Sequence, residues 1–512
     1  MNSLFLCRYK KGRFNLSCGC GHSLIFHVGT WGYSLIYRVG TFFSCTKKSL
    51  QYIIQSPKRI YTKGGILIPD LDYITAMLNL NPNDIESSRI QKNCNAFDIY
   101  ITLKLSSTMT CPVCNSHMIS HGKHKKVIHN PTILDFDGNI IWSARRYKCK
   151  CCGLTKMEEN PFTFAGISES YAQIRRIMID LMNLDYTYLN IAQRHHISVT
   201  TVQRYADSWV VVPRQKLTES IGIDEYHSPA LSNRNSTYLC IIVDNVERNL
   251  LEILPSRKSD YLKRYFLNIP IEERRKVKYV TIDMWETYKI VAQSVFPNCI
   301  IAVDPFHVIK NIGMAFTKVR IRIMGTYDYD SPGYYLLKKW HRLLESDYNL
   351  NNEAKYNHKF KTKLNYLDLF NMILELNPQL TKAYHLKEKY RQFNKTATSD
   401  NAREKLDQLL IEFSEAGIPE YEGIVNMMFS WKEEIIHSFY RPYDDRKLSN
   451  ALTENINGKI NSHITVSRGI SNFQRFRNRA IYALNDKIKY NVTNFLTTLK
   501  RKGKSRGEYK KK

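Results

Sequence analysis

The chain has 512 residues, 43% of them hydrophobic, with 75 Lys and Arg against 47 Asp and Glu, a formal net charge of +28. That length exceeds one ordinary core and suggests about three domains, and the hydrophobic content excludes a largely disordered chain. A positive surplus this large points to a polyanionic partner, nucleic acid first, because neutralising phosphates releases counterions.

The bland alternative is a merely soluble basic protein. Four of the 12 cysteines form two CxxC pairs and the rest are scattered, a metal-binding layout in a reducing compartment rather than a disulfide framework. No strictly apolar run of 18 or more residues occurs, so no membrane span and no convincing signal peptide is expected. Residues 1–76 carry Gly, Cys and aromatics in no period; we expect an atypical extension, not necessarily translated, and peptides from Cys7–Lys48 in the native product would refute that. From Met77 the chain reads as an ordinary start, with Pro82 and Asp84 opening a helix-like stretch in an N-terminal segment, 77–104.

Residues 105–160 read as a zinc ribbon. Cys111 and Cys114 form one knuckle, Cys149 and Cys152 the other, and two such knuckles close a tetrahedral thiolate site for one structural Zn²⁺. Between them ILDFDGNIIW alternates around an Asp-Gly turn, so a β-hairpin would join the knuckles. Cys151 is a spare thiol, and His117, His121 and His124 fit a solvent-facing basic loop better than a ligand set.

Residues 161–212 turn helical. Ile174, Ile177 and Leu181 recur at helical spacing, Ala192 sits in a short helix, His196-Ile197 marks a tight turn, and Ser198 is an N-cap for a helix burying Val199, Val202 and Ala206. This is helix-turn-helix phrasing, in which Thr200, Thr201, Gln203 and Arg204 would face a DNA groove; a plain helical hairpin is the competing reading.

Over 218–310 the texture is β-β-β-α-β-α-β. IGIDEYH ends near Asp224, STYLCIIVDN and NLLEILPSRK pair across Val246-Glu247-Arg248, a helix covers Asp260–Phe266, a strand ends at Asp283, a helix runs to Val295, and CIIAVD ends at Asp304. That order predicts a mixed sheet covered by helices. Residues 311–440 are almost continuously helical in pattern. The stretch 441–499 gives one or two helices with a basic, aromatic-studded loop, and 500–512 is a basic tail expected to act as a disordered electrostatic arm.

Carboxylates at strand ends are costly when buried and unpaired, and they repay that cost when they converge on two divalent ions that activate a water or 3′-hydroxyl for attack on a phosphodiester. Periodicity alone does not choose among these acids, since an Asp at a strand end is more often a cap or turn residue. The motifs IGIDEYH, VTIDMWETY, AVDPFHVIKN and LSNALTENINGKI with SRGISNFQRFRNR, behind a two-knuckle ribbon and a helix-turn-helix, resemble the ISL3-type bacterial insertion-sequence transposases from about Met77 to Leu499. The resemblance implies an α/β multidomain protein whose ribonuclease-H-like mixed-sheet catalytic core is interrupted by a long helical insertion. It implies Asp224, Asp283 and Glu454 as ligands of two Mg²⁺ (or Mn²⁺) ions. Asp304 is the rival of Asp283 for the second position; otherwise Asp304 and His307 orient the ligands or the substrate. Glu225 should point to the opposite face of its strand.

On that reading the ribbon and the Gln203/Arg204 region bind terminal inverted repeats in double-stranded DNA, while Lys459, Arg468, Arg475 and Arg477 hold phosphate near the metals. A cytoplasmic, nucleoid-associated bacterial protein is expected, at least dimeric when two ends are synapsed. The alternative is a catalytically idle, transposase-derived DNA-binding regulator. Covalent tyrosine recombination and histidine-paired nicking fit poorly, because the residues lack the needed constellations.

Overall fold

The structure is a computed structural model that describes residues 80–492 apart from 105–108, 134, 233–235, 346–347 and 444–445, with Leu78 and a few short strand backbones before residue 67. The expected extension 1–76 and the basic tail 500–512 lie essentially outside the described residues. Among those described, no helix is long and apolar enough to cross a membrane.

The first sheet contains β1 (Ile85–Lys92), β2 (Ala96–Leu103), β3 (Met118–Ile133), β4 (Phe136–Cys149) and β5 (Thr155–Met157). The helix expected after Met77 is instead one 3₁₀ turn, Pro82–Asp84, capped by Asn81, that leads straight into β1. Alternating Ile85, Ile90, Ile99 and Ile101 face one core with Ile128, Ile140 and Trp142, so the segment before the knuckles shares a sheet with the hairpin. β3 and β4 pair antiparallel along nearly their whole length. The tip lies between Ile133 and Phe136, not at Asp137-Gly138 as the dipeptide suggested. Asp135 takes the left-handed conformation there (φ 63°), whereas Gly138 sits in β4 beside a bulge, where a Cβ would meet the Pro131 carbonyl oxygen at 2.3 Å. The glycine serves close approach rather than a turn.

Three helices follow: α1 (Tyr171–Met182), α2 (Tyr188–Arg194) and α3 (Val199–Trp209). Each starts on a side-chain cap, from Ser170, Thr187 and Ser198, which satisfies a first-turn N–H. His196, at φ 52°, makes the turn between α2 and α3. Ile174, Ile177, Leu181, Ala192, Val202 and Ala206 are buried as their spacing requires, joined by Tyr205 and Trp209 stacked at 4.2 Å.

The second sheet holds β6 (Ser220–His227), β7 (Tyr238–Asp244), β8 (Asn249–Leu254), β9 (Tyr279–Ile282) and β10 (Ile300–Val303), in the order β8-β7-β6-β9-β10. The first three are antiparallel; β6, β9 and β10 run parallel. Parallel neighbours need crossovers, supplied by α4 (Ser259–Leu267) with α5 (Ile271–Arg274), and by α6 (Glu286–Val295). This mixed topology fits a ribonuclease-H-like core. Strand pleating sends Leu239, Ile241 and Val243 toward α1–α3, and Cys240 and Ile242 toward the opposite core.

From Pro305 the chain is helical: α7 (Pro305–Met324), α8 (Pro332–Lys339), α9 (Arg342–Glu345), α10 (Tyr366–Glu375), α11 (Pro378–Thr396), α12 (Ala402–Ser414), α13 (Pro419–Ser430) and α14 (Lys432–His437). A short hairpin, Lys355–Asn357 with Thr362–Leu364, interrupts the expected helical run. His437 donates from Nδ1 to the Ile301 carbonyl at 2.8 Å, returning the insertion to β10. The chain then forms α15 (Ala451–Val466) and α16 (Phe473–Leu484), whose Ile456, Ile460, Phe476 and Ile481 share the core of α1–α3.

Candidate active site

Register builds the site. Ile223 pairs with Ile282, and Ile282 with Val303. The next residue on each strand is therefore Asp224, Asp283 and Asp304, three aspartates level at the carboxyl ends of adjacent parallel strands. α15 lies across this edge because Gly222 leaves room for it: a Cβ there would come within 2.8 Å of Thr453 Oγ1. Asn450 donates to the Ile223 carbonyl at 3.1 Å, and Asn457 donates to Asp224 Oδ2 at 3.0 Å. With Glu454 between them, these residues share one helix face.

The ligand atoms fall into two adjoining groups, each with its members within 4.8 Å of one another: Asp224, Glu225 and Asp283 in one, Asp304, His307 and Glu454 in the other. The expected triad is thus divided, with Asp224 and Asp283 together and Glu454 beside His307 and Asp304, the rival for the second position. Both rivals for the second position are at the site. Glu225 departs from its expected role. Pleating separates its Cβ from that of Asp224, yet its carboxylate comes within 4.8 Å of those of Asp224 and Asp283. Arg257 Nη1 donates to Glu225 Oε1 at 2.6 Å, and Glu225 Oε2 is buried without a hydrogen-bond partner among the described residues.

Asp224 is only 8% exposed. Burial, with Asp283 and Glu225 nearby, pushes its pKa up to about 7; burial and the Glu225 charge raise Asp283 to about 6. Burial and Asp304 also raise Glu454. Asp304 caps α7 through Phe306 N–H and holds His307 above its ordinary pKa, with Nδ1 3.5 Å from Oδ2. The His307 charge bears on Asp224, Asp283 and Glu454 alike, so the two groups are one electrostatic unit. Clustered carboxylates whose protons are held this tightly suit hard cations, whose charge offsets the repulsion.

In the first sheet's knuckles, Cys111, Cys114, Cys149 and Cys152 bring their sulfurs within 4.8 Å of one another. Backbone N–H groups of Cys114 and Val113 lower the Cys111 thiol, and Ser116 holds Cys114 at about 6. Against the lowering by the Leu154 backbone N–H, the Cys111 thiol and burial push Cys152 up to about 12, so its thiol gives up a proton when a metal takes the sulfur. Four converging thiols fit a zinc ion. Cys151 and His117, His121 and His124 are exposed, away from the ligand set.

The residues expected to touch DNA divide. Gln203 lines a cleft with Arg468, while Arg204 is exposed on α3 and lies over Tyr205. Lys459 and Arg468 are exposed. The Thr200 and Thr201 hydroxyls hydrogen-bond with the Ser198 cap at 2.8 and 2.9 Å, so part of their polarity is spent on the helix start. Arg475 is engaged by Asp207 at 2.7 and 2.6 Å. Arg477 is a correction: it forms an internal ion pair with Glu252, the two side chains 12% and 6% exposed, and donates to the Val212 carbonyl. An arginine that neutralises a buried carboxylate has no charge to offer a phosphate.

Sequence reasoning missed Asn450, Asn457 and Arg257. The two asparagines were legible, since the spacing of Asn450, Glu454 and Asn457 puts all three on one helix face; no local signal ties Arg257 to Glu225.

A family model described as transposase, of the DDE class and ISL3 type, matches residues 221–480, from β6 into α16 and across every acidic residue of the site. The chain belongs to the ISL3 family of transposases. One curated relative in the same line of function, the transposase for insertion sequence element IS1001 of Bordetella parapertussis, is 22% identical over 243 residues, 47% of this chain and 59% of that protein. The chain thus spans less than two thirds of that transposase's length.

Proposed function

We propose that the protein binds the terminal inverted repeats of an insertion sequence and catalyses metal-dependent cleavage and strand transfer of double-stranded DNA. The observation that carries this is the alignment of Asp224, Asp283 and Asp304 on adjacent strand ends, with Glu454 brought against them by α15. Asp224 and Asp283, with Glu225, would hold one Mg²⁺ or Mn²⁺; Glu454, with Asp304 and His307, would hold or orient a second. Bound ions would supply Lewis-acid activation of the attacking oxygen and stabilise the leaving one.

The chain's own groups do the rest. Asn457 fixes the Asp224 carboxylate, Arg257 fixes Glu225, and the Asp304 carboxylate sets the His307 imidazole. Lys459 and Arg468 hold phosphate on the exposed side, and Gln203 and Arg204 read the groove. The domain division that goes with this reading is a ribbon over 105–160, its sheet completed by β1 and β2 of the preceding segment 77–104 and holding one structural zinc on Cys111, Cys114, Cys149 and Cys152, a helix-turn-helix over 161–212, and a catalytic core over 218–310 and 441–499 split by the insertion 311–440.

The test uses the zinc-loaded protein and a supercoiled plasmid carrying the gene's own flanking DNA, with breaks mapped in Mg²⁺ or Mn²⁺. Breaks at the flank boundaries that fall by at least about a hundredfold in Glu454→Gln, with DNA binding kept, are expected. Specific binding without breaks in the wild type would instead leave an idle DNA-binding descendant.

A further inference from the structure

Beside the first carboxylate group opens a cleft of about 560 Å³. Arg257 forms part of its wall while pairing with Glu225, and Trp285, two residues after Asp283, forms another part and donates its backbone N–H to Asp283 Oδ1 at 3.2 Å. Cleft and metal site are thus separated by single side chains. The lining among the described residues holds two cations, Arg257 and Lys258, the hydroxyls of Thr237 and Thr287, and the aromatic Tyr238 and Trp285, with no carboxylate. The Arg257 guanidinium lies over both rings, 3.7 Å from the Tyr238 centroid and 4.4 Å from that of Trp285. Its plane is therefore fixed, and among the described residues only one of its nitrogens is taken, by Glu225, leaving others to donate. The catalytic step described above uses neither Lys258 nor the aromatic wall.

Cations beside aromatic faces are how proteins hold unpaired nucleic acid, phosphate on the charge and base on the ring. The volume falls in the roughly 300–1,000 Å³ range of pockets for small organic ligands; it admits one nucleotide and not a base pair with its two backbones. We infer that this cleft takes one unpaired nucleotide of the DNA strand that runs to the carboxylates, its phosphate on Arg257 and Lys258 and its base against Trp285. This rests on the transposase reading and deepens it. Unstacking a base costs a few kcal/mol, and the cleft offsets that cost at the position next to the one cut. Because Arg257 touches both phosphate and Glu225, a filled cleft also steadies the carboxylate beside Asp224 and Asp283.

The experiment measures affinity by fluorescence anisotropy, with Ca²⁺ in place of Mg²⁺, for duplexes of the gene's own flank boundary, fully paired or with one to three mismatched bases there, and for a paired duplex of unrelated sequence. Wild type should prefer the mismatched duplex by about tenfold, the size of one base–aromatic contact. Lys258→Ala and Trp285→Ala should each lose most of that preference while binding the paired duplex within about twofold of wild type, and Trp285→Phe should keep it. Should Trp285→Ala not fold, Lys258→Ala and Trp285→Phe still give the readout. A preference that survives in the Lys258→Ala/Trp285→Ala double variant, or wild type that selects its own flank over unrelated DNA without favouring mismatches, overturns the cleft and leaves the transposase reading standing. Wild type that does not distinguish its own flank from unrelated DNA overturns both.

Discussion

At the scale of single residues, the distinction that matters is between charges that face a partner and charges that serve the fold. Arg477 and Lys459 read alike in the sequence as basic residues on late helices. In the structure one is exposed and the other neutralises Glu252, which also accepts from Tyr265 at 3.4 Å. Replacing Arg477 by Ala would leave a carboxylate buried and unpaired, so we expect a loss of about 3–5 kcal/mol in stability by denaturant unfolding. The salt dependence of DNA affinity, measured on the folded fraction, should keep its slope. A slope shallower by about one, with stability unchanged, would make Arg477 a phosphate contact after all.

At the scale of elements, α15 carries Glu454 at its start and His463 near its end. The two ends face different neighbours. His463 is buried against the loop after α1, with Nδ1 on the Leu184 carbonyl, and burial beside Arg479 lowers its pKa from 6.5 to about 4; Asp185 acts weakly in the other direction. A histidine held neutral in the folded state takes up its proton more readily when unfolded. Stability from this group is therefore complete above about pH 6.5, falls as the pH drops toward 4, and changes no further below that. The loss amounts to at most about 3 kcal/mol. Thermal unfolding of wild type and His463→Gln between pH 7 and 4 should show a steeper decline in wild type; parallel curves would mean the site is open enough for the imidazole to charge where it sits.

At the scale of the whole molecule, two parts stand on different supports. The core sheet is held by large apolar surfaces on both faces. The knuckle end of the first sheet has a satellite cluster of Cys111, Met118, Tyr147 and Cys149 and little else. Four sulfurs gathered within 4.8 Å have no ion to bind them together until zinc displaces their protons, so this end should depend on zinc while the core does not. Chelation, or Cys149→Ser, should release one zinc per chain, expose the ends of β3 and β4 to hydrogen exchange, and leave protection in β6–β10 unchanged. Uniform protection with and without zinc would make the four cysteines incidental.

Much of this was written in local pattern. The two CxxC pairs, the helix cap at Ser198, and the strand order from β6 to β10 follow from residue types at fixed spacing, because side-chain chemistry and period act over a few residues. The resemblance of the motifs pointed to Asp224, Asp283 and Glu454. Local pattern failed where distance in the chain and distance in space part company. Asp-Gly was read as a turn, but the glycine is needed where two strands crowd, a fact that only the close approach of the Pro131 carbonyl supplies. Arg477 was read as a surface charge, but its partner lies on β8, more than 200 residues earlier. Glu225 was assigned to the far side of its strand by the pleat, which fixes where a Cβ points and not where a longer carboxylate ends. Grouping the acids as Asp224, Glu225 and Asp283 beside Asp304, His307 and Glu454 was decided by register between parallel strands and by the helix that Gly222 admits, both of which exist only once the chain is folded.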